Sequence, residues 1–134
     1  MASILLVGAD AALLEGIAQA LVAAGHHALT ASSIAEATFV AAPAPPLVAV
    51  VDRTLLQGVG DVHSIGLAAG GVLLAYGDLA TPLAGSVRRV ILAELRLPLE
   101  RARLLALVAH VQARAQRTGR GVAGPTPPDS RPAL

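Results

Sequence analysis

Pro45-Pro46-Leu47-Val48-Ala49-Val50-Val51-Asp52 is the stretch on which the fold turns. Five apolar residues, three of them β-branched, follow a double proline and stop at a carboxylate. The run is too short to span a membrane and too continuous for a strand with one wet face. It predicts a central strand of a parallel sheet, covered by helices on both sides. An acid at the carboxyl end of such a strand stands where open α/β sheets form their ligand crevice.

Outward from this strand, composition sets the limits. A chain of 134 residues makes one domain with room for a real core. Its 54% apolar and 14% charged content excludes a disordered chain. Tyr76 and Phe39 are the only aromatic residues, so the core is built from Ala, Leu and Val. Each fully buried Leu or Val contributes roughly 1.5–3 kcal/mol. Cysteine is absent, which removes disulfides, thiolate nucleophiles and Cys-ligated metals.

The amino-terminal segment lacks a basic start, and Asp10 interrupts its apolar run too early for a signal peptide. No apolar stretch reaches the roughly eighteen residues of a membrane helix. A soluble cytoplasmic domain is expected. All ten basic residues are arginine. Residues 1–95 carry a net charge of −4 and residues 96–134 one of +5. The basic end reads as a wet helix face and tail; neither a membrane nor a nucleic acid is expected as partner.

Before the central strand, Ser3-Ile4-Leu5-Leu6-Val7 predicts a first strand ending at Gly8. Asp10 suits the N-cap of the next helix, whose Leu13, Leu14, Ile17, Ala18, Leu21 and Val22 share one face. Gly25 is its expected stop. His27–Ala31 predicts a weaker strand near the sheet edge. Ser33-Ile34-Ala35-Glu36 has the form of a capping box, opening a helix to about Ala42, where Pro43, Pro45 and Pro46 end it.

After Asp52, the glycines of residues 54–60 predict a loop, and a short helix is expected over 61–69. Val72–Ala75 predicts the fourth strand, closed by Tyr76-Gly77-Asp78; residues 79–89 a helix weakened by Pro82 and Gly85; Val90–Ala93 the fifth strand. The last helix is expected over about 99–117, with Leu104, Leu105, Val108 and Val111 inward and Arg101, Arg103, Arg114 and Arg117 outward. Residues 118–134 read as a Gly/Pro-rich tail or linker. Five strands alternating with helices imply a single (βα)5 doubly wound domain over residues 1–117. There is no internal repeat.

The order Ile4–Val7, the capped helix ending in Ala23-Ala24-Gly25-His26, then Thr30–Ala37 and Pro46–Asp52, resembles the receiver (CheY-like) domain of two-component response regulators. The resemblance covers about residues 2–116, with Leu97-Pro98 as the best marker in the second half. It implies a five-stranded parallel sheet of order 2-1-3-4-5. In that family the acid ending the third strand accepts a phosphoryl group from a histidine kinase. Two acids after the first strand hold Mg²⁺, a hard cation wanting oxygen ligands. A lysine after the fifth strand pairs with the phosphoryl oxygens. A Ser or Thr ending the fourth strand bonds the product, and an aromatic on the fifth reports the change. Positioning and charge neutralisation supply nearly all of that catalysis.

On this chain only the acceptor, Asp52, matches. The acidic pair falls on Gly8 and Ala9, the hydroxyl on Tyr76, the lysine on Leu97 and the aromatic near Glu94 or Leu95; Asp10 matches a third acid that caps the helix. Arg96 adjoins Leu97, but neighbouring side chains on an extended segment point to opposite sides. These departures imply a degenerate receiver, or pseudo-receiver. The expectations are no Mg²⁺ or other cofactor, no phosphorylation of Asp52, and no enzymatic activity. A protein partner (a kinase, a regulator or a second copy) is expected at the face made by the fourth helix, fifth strand and fifth helix. The alternative is an ordinary phosphorelay regulator phosphorylated on Asp52.

A third possibility is a Rossmann-like nucleotide-binding domain, since Val7-Gly8-Ala9-Asp10 lies between a strand and a helix. The G-x-G-x-x-G spacing that admits a pyrophosphate is lacking, and Thr30-Ala31-Ser32 offers no acid to a ribose. His26, His27, His63 and His110 show no metal-ligand spacing. Ser32 and Ser33 read as cap residues, with no nucleophile elbow around them.

Overall fold

In a computed structural model of the protein, residues 2–56, 63–77 and 83–123 are described, the side chains of 118–123 excepted. The central run forms β3 (Val48–Asp52), one residue later than predicted, with Val48 to Val51 fully buried. It lies between β1 (Ser3–Val7) and β4 (Val72–Tyr76). β2 (His27–Ala31) and β5 (Ile91–Leu95) form the edges. All pairings are parallel and the order is β2-β1-β3-β4-β5, as the resemblance to receiver domains implied.

The period of two sorts each strand onto two cores. Ile4, Leu6, Val48, Val50, Leu74 and Tyr76 face α1 (Ala11–Ala23) and the long last helix. Leu5, Val7, Ala49, Val51, Leu73 and Ala75 face the other side, with α2 (Ile34–Ala41) and a four-residue helix α3 (Gly85–Arg88). The last helix, α4 (Arg101–Ala123), inserts Leu104, Val108 and Val111 into the first core and keeps Arg101, Arg103, Arg114 and Arg117 exposed.

Local signals in the first half act as expected, save one arm of the capping box. Asp10 caps α1, its Oδ1 accepting the Leu13 N–H at 3.1 Å. Gly25, with φ +92°, lets His26 N–H reach Leu21 O and its own N–H reach Val22 O, a Schellman ending. Ser33 Oγ accepts the Glu36 N–H, and Glu36 Oε1 reaches back to the N–H and hydroxyl of Ser32 rather than to Ser33.

The second half corrects four expectations. Of the helix expected over 61–69, residues 61–62 lie outside the described residues, residue 63 is helical, and 64–69 are turn and irregular chain, so the helix does not extend past 63. Ala68 N–H there donates to Pro46 O, so a helix would forfeit that bond. The predicted 79–89 helix appears as α3, residues 78–82 lying outside the described residues. The fifth strand is Ile91–Leu95, not Val90–Ala93, because a bulge at Leu73/Leu74 pairs Ala93 with Leu74 and carries Glu94 and Leu95 into the sheet. The last helix runs to Ala123, past the expected end at 117. Gly119 and Gly121 cost it about 1 kcal/mol each but do not forbid it. Residues 124–134, most of the expected tail, lie outside the described residues.

His26 ties the bottom of β1 to the turn after α1, its Nδ1 accepting the Ala2 N–H at 3.2 Å. Burial lowers its pKa from the usual value. The unfolded chain therefore binds the proton more readily, and stability rises with pH in that range. The unfolding midpoint should hold above about pH 6.5 and fall as the pH drops towards 5. In His26→Gln the decline should be shallower; an equal slope in thermal melts at pH 7, 6 and 5 would remove His26 as its cause.

Candidate functional site

The carboxyl edge of the sheet brings three of the expected positions into one row. Asp52 is in register with Tyr76, and Gly8 follows the end of β1 beside them. All three continue the strand faces directed at α1 and α4. Asp52 is partly buried, and its Oδ1 accepts the Thr54 N–H at 3.0 Å and the Thr54 hydroxyl at 2.9 Å. The carboxylate thus caps the single 3₁₀ turn Arg53–Leu55.

Tyr76 is 4% exposed, and among the described residues its hydroxyl has no hydrogen-bond partner. Burial pushes its pKa up to about 12, with the nearby charges of Asp52 and Asp10 adding to the shift. The phenol crosses beside the Asp52 side chain and ends over Gly8: a Cβ on Gly8 would stand 1.9 Å from the phenolic oxygen and 3.5 Å from Asp52 Cβ. A cavity of about 300 Å³ opens on the other side of Gly8, lined by Ala9, Ala11, Glu15, Ser32 and Glu36 among others; neither Asp52 nor Tyr76 lines it.

The remaining positions are engaged elsewhere or open to solvent. Ala9 and Asp10 are exposed, and the Asp10 carboxylate is occupied by its cap. Leu97 packs against the core shared by α1 and α4. Arg96 is exposed, its N–H held by Glu100. The donor set around Asp52 does not fit a hard cation: Gly8 and Ala9 offer no side-chain oxygen. Among the described residues no three His, Cys, Asp or Glu side chains gather as a metal site. None of the described helices is long and apolar enough to cross a membrane.

One feature of this edge was missed from the sequence. Arg53, 6% exposed, donates from Nε to Glu94 Oε1 at 2.8 Å, an ion pair running from the end of β3 to β5. It stands on the α2–α3 side of the sheet, since Glu94 is in register with Ala75. Gly77, φ +138°, lies against the Arg53 stem, with a notional Cβ 3.6 Å from Cδ. A basic residue directly after the strand-end acid, with one acid in the apolar fifth strand, was the available signal. The bulge that brings them together is not visible in the sequence.

No protein-family model matches the chain, and no curated protein matches it. Solved structures do. A response regulator receiver domain protein from Clostridium thermocellum is 20% identical with a TM-score of 0.71, over 88% of this chain and 99% of that one. A CheY-like receiver domain from Methylobacillus flagellatus is 16% identical with a TM-score of 0.70, over 83% and 98%. NtrX from Brucella abortus in complex with ADP is 18% identical with a TM-score of 0.67, over 90% of this chain and 29% of NtrX. With its strand order, its two helical layers and an acid at the end of β3, the chain has the fold of the response-regulator receiver domain.

Proposed function

We propose that this chain is a pseudo-receiver of bacterial two-component signalling, a cytoplasmic protein that works by contact with another protein and not by phosphoryl transfer at Asp52. The observation that carries the reading is the row Gly8–Asp52–Tyr76. A carboxylate attacking a phosphoryl group needs cationic compensation for the charge gathered in the transition state. Here the neighbours of Asp52 are a glycine and a buried phenol, and its Oδ1 is committed to Thr54. By the resemblance, the lysine position falls on Leu97 and the aromatic one near Glu94 or Leu95.

The surface for the partner is the edge formed by α3, β5 and α4. Val90 and Leu92 on that edge and Leu99 before α4 are large apolar side chains left exposed. Arg96 and Arg103 flank them, so a partner with an apolar centre and acidic rim suits the face.

Incubation with Mg²⁺ and a small phosphodonor, followed by intact-mass measurement, is expected to leave the protein unmodified. Stoichiometric modification lost in Asp52→Asn would restore the ordinary phosphorelay regulator. That second reading is favoured by the one position that does match: Asp52 is in place at the carboxyl edge and partly open to solvent.

A further inference from the structure

We propose that Gly8 and Tyr76 are a matched pair that closes the acid pocket, so that the phenol itself, beyond the missing acids and lysine, keeps a ligand from Asp52. This rests on the pseudo-receiver reading and names the residues that enforce it. The phenolic oxygen lies where the first side-chain carbon of any residue other than glycine at position 8 would have to be. Backbone conformation does not account for the glycine: Gly25, Gly70 and Gly77 have positive φ among the described glycines, and Gly8 does not. Its N–H is bonded to Ala31 O at 2.9 Å in ordinary sheet fashion. Glycine at position 8 and tyrosine at position 76 therefore permit each other.

The hydroxyl is not there for a bond of its own. It is buried without a partner among the described residues, a cost to the fold, whereas the ring is part of the core with Leu14, Leu74, Leu95 and Leu104. The phenol acts as a volume that fills the space between β1 and β3 at the point where a charged ligand of Asp52 would sit. Restoring acids at positions 8 and 9 would set a carboxylate against the phenol, so the pocket cannot be rebuilt from the β1 side alone.

The geometry separates the hydroxyl from the ring. A Cβ at position 8 stands 1.9 Å from the oxygen but 3.2 Å from Cζ, a contact that small shifts relieve. Gly8→Ala alone is expected to lower the thermal midpoint by roughly 5–10 °C. Tyr76→Phe should leave it unchanged or raise it, and Gly8→Ala in the Tyr76→Phe background should lose less than half as much. Equal losses in the two backgrounds, or a fall of several degrees in Tyr76→Phe, would overturn the pairing.

The functional arm uses Mg²⁺ with beryllofluoride and the same melts. Gly8→Asp/Ala9→Asp/Leu97→Lys should show no ligand-dependent rise, and adding Tyr76→Thr should produce one. A rise with Tyr76 still present would overturn the plug. A rise in the unaltered protein would instead sink the pseudo-receiver reading, while the Gly8–Tyr76 cycle would still measure the packing.

Discussion

Leu104→Ala is expected to cost about 3 kcal/mol of stability, and Leu99→Ala less than about 0.5 kcal/mol, although the two leucines lie five residues apart. Leu104 is 0% exposed and packs in the core that α4 shares with α1, β1, β3 and β4. Removing its side chain loses the transfer term and leaves a void among the surrounding leucines and valines, which relax only in part. Leu99, 85% exposed before the start of α4, has nothing to lose on truncation. At this chain length the Leu104 deficit is roughly 10 °C in thermal midpoint. Urea unfolding of both variants checks the pair; similar midpoints would mean that α4 is not seated on the sheet by this face. Leu99→Ala should still matter for the proposed partner surface, where exposed apolar area contributes to binding.

Glu94→Ala should destabilise by about 2–3 kcal/mol. Breaking a buried pair by deleting one partner commonly costs about 3–5 kcal/mol. Here Arg53 is 6% exposed but the Glu94 side chain is 26% exposed, so water recovers part of the loss and the lower figure applies. Arg53→Met/Glu94→Leu should come back to within about 1 kcal/mol of the parent, because apolar residues of similar volume can replace a buried pair at little cost. A double-mutant cycle in urea measures the coupling; a Glu94→Ala midpoint equal to the parent would show that the pair contributes nothing net. The pair joins the end of β3 to β5, the strand beneath the proposed partner face. Loss of partner binding in a Glu94 variant that remains folded would make it a positioning residue for that face.

The legible part of the chain was where local signals agree with the tertiary outcome. Leu47–Val51 reads as a buried parallel strand because both of its faces are apolar, and no helix of that length would stop at Asp52. Asp10, Gly25 and Ser33 mark helix ends through bonds made within a few residues of themselves. Such bonds depend little on the rest of the fold. The 61–69 segment and β5 are different. Ala68 takes its partner from Pro46, and Glu94 is held in the sheet opposite Arg53, so neither outcome follows from the neighbouring residues. Gly119 and Gly121 looked like the start of a tail because glycine is a poor helix former, yet a helix already running can carry them.

At the candidate site the division is similar. That Asp52 ends a central strand, that Gly8, Ala9 and Leu97 carry no charge, and that a bulky phenol replaces a small hydroxyl at Tyr76 are all properties of the amino-acid sequence alone. Composition and order determine which groups exist and which strand end they stand on. Where their atoms go was decided by the tertiary structure. Parallel register aligned Tyr76 with Asp52 and let the phenol reach over Gly8. One bulged residue in β5 turned Glu94 to the α2–α3 side towards Arg53, and Leu95 to the opposite core beside Tyr76. Side-chain direction in a sheet alternates with every residue, so a shift of one position reverses the face. That shift is set by strand pairing across the sheet, which no stretch of the sequence contains by itself.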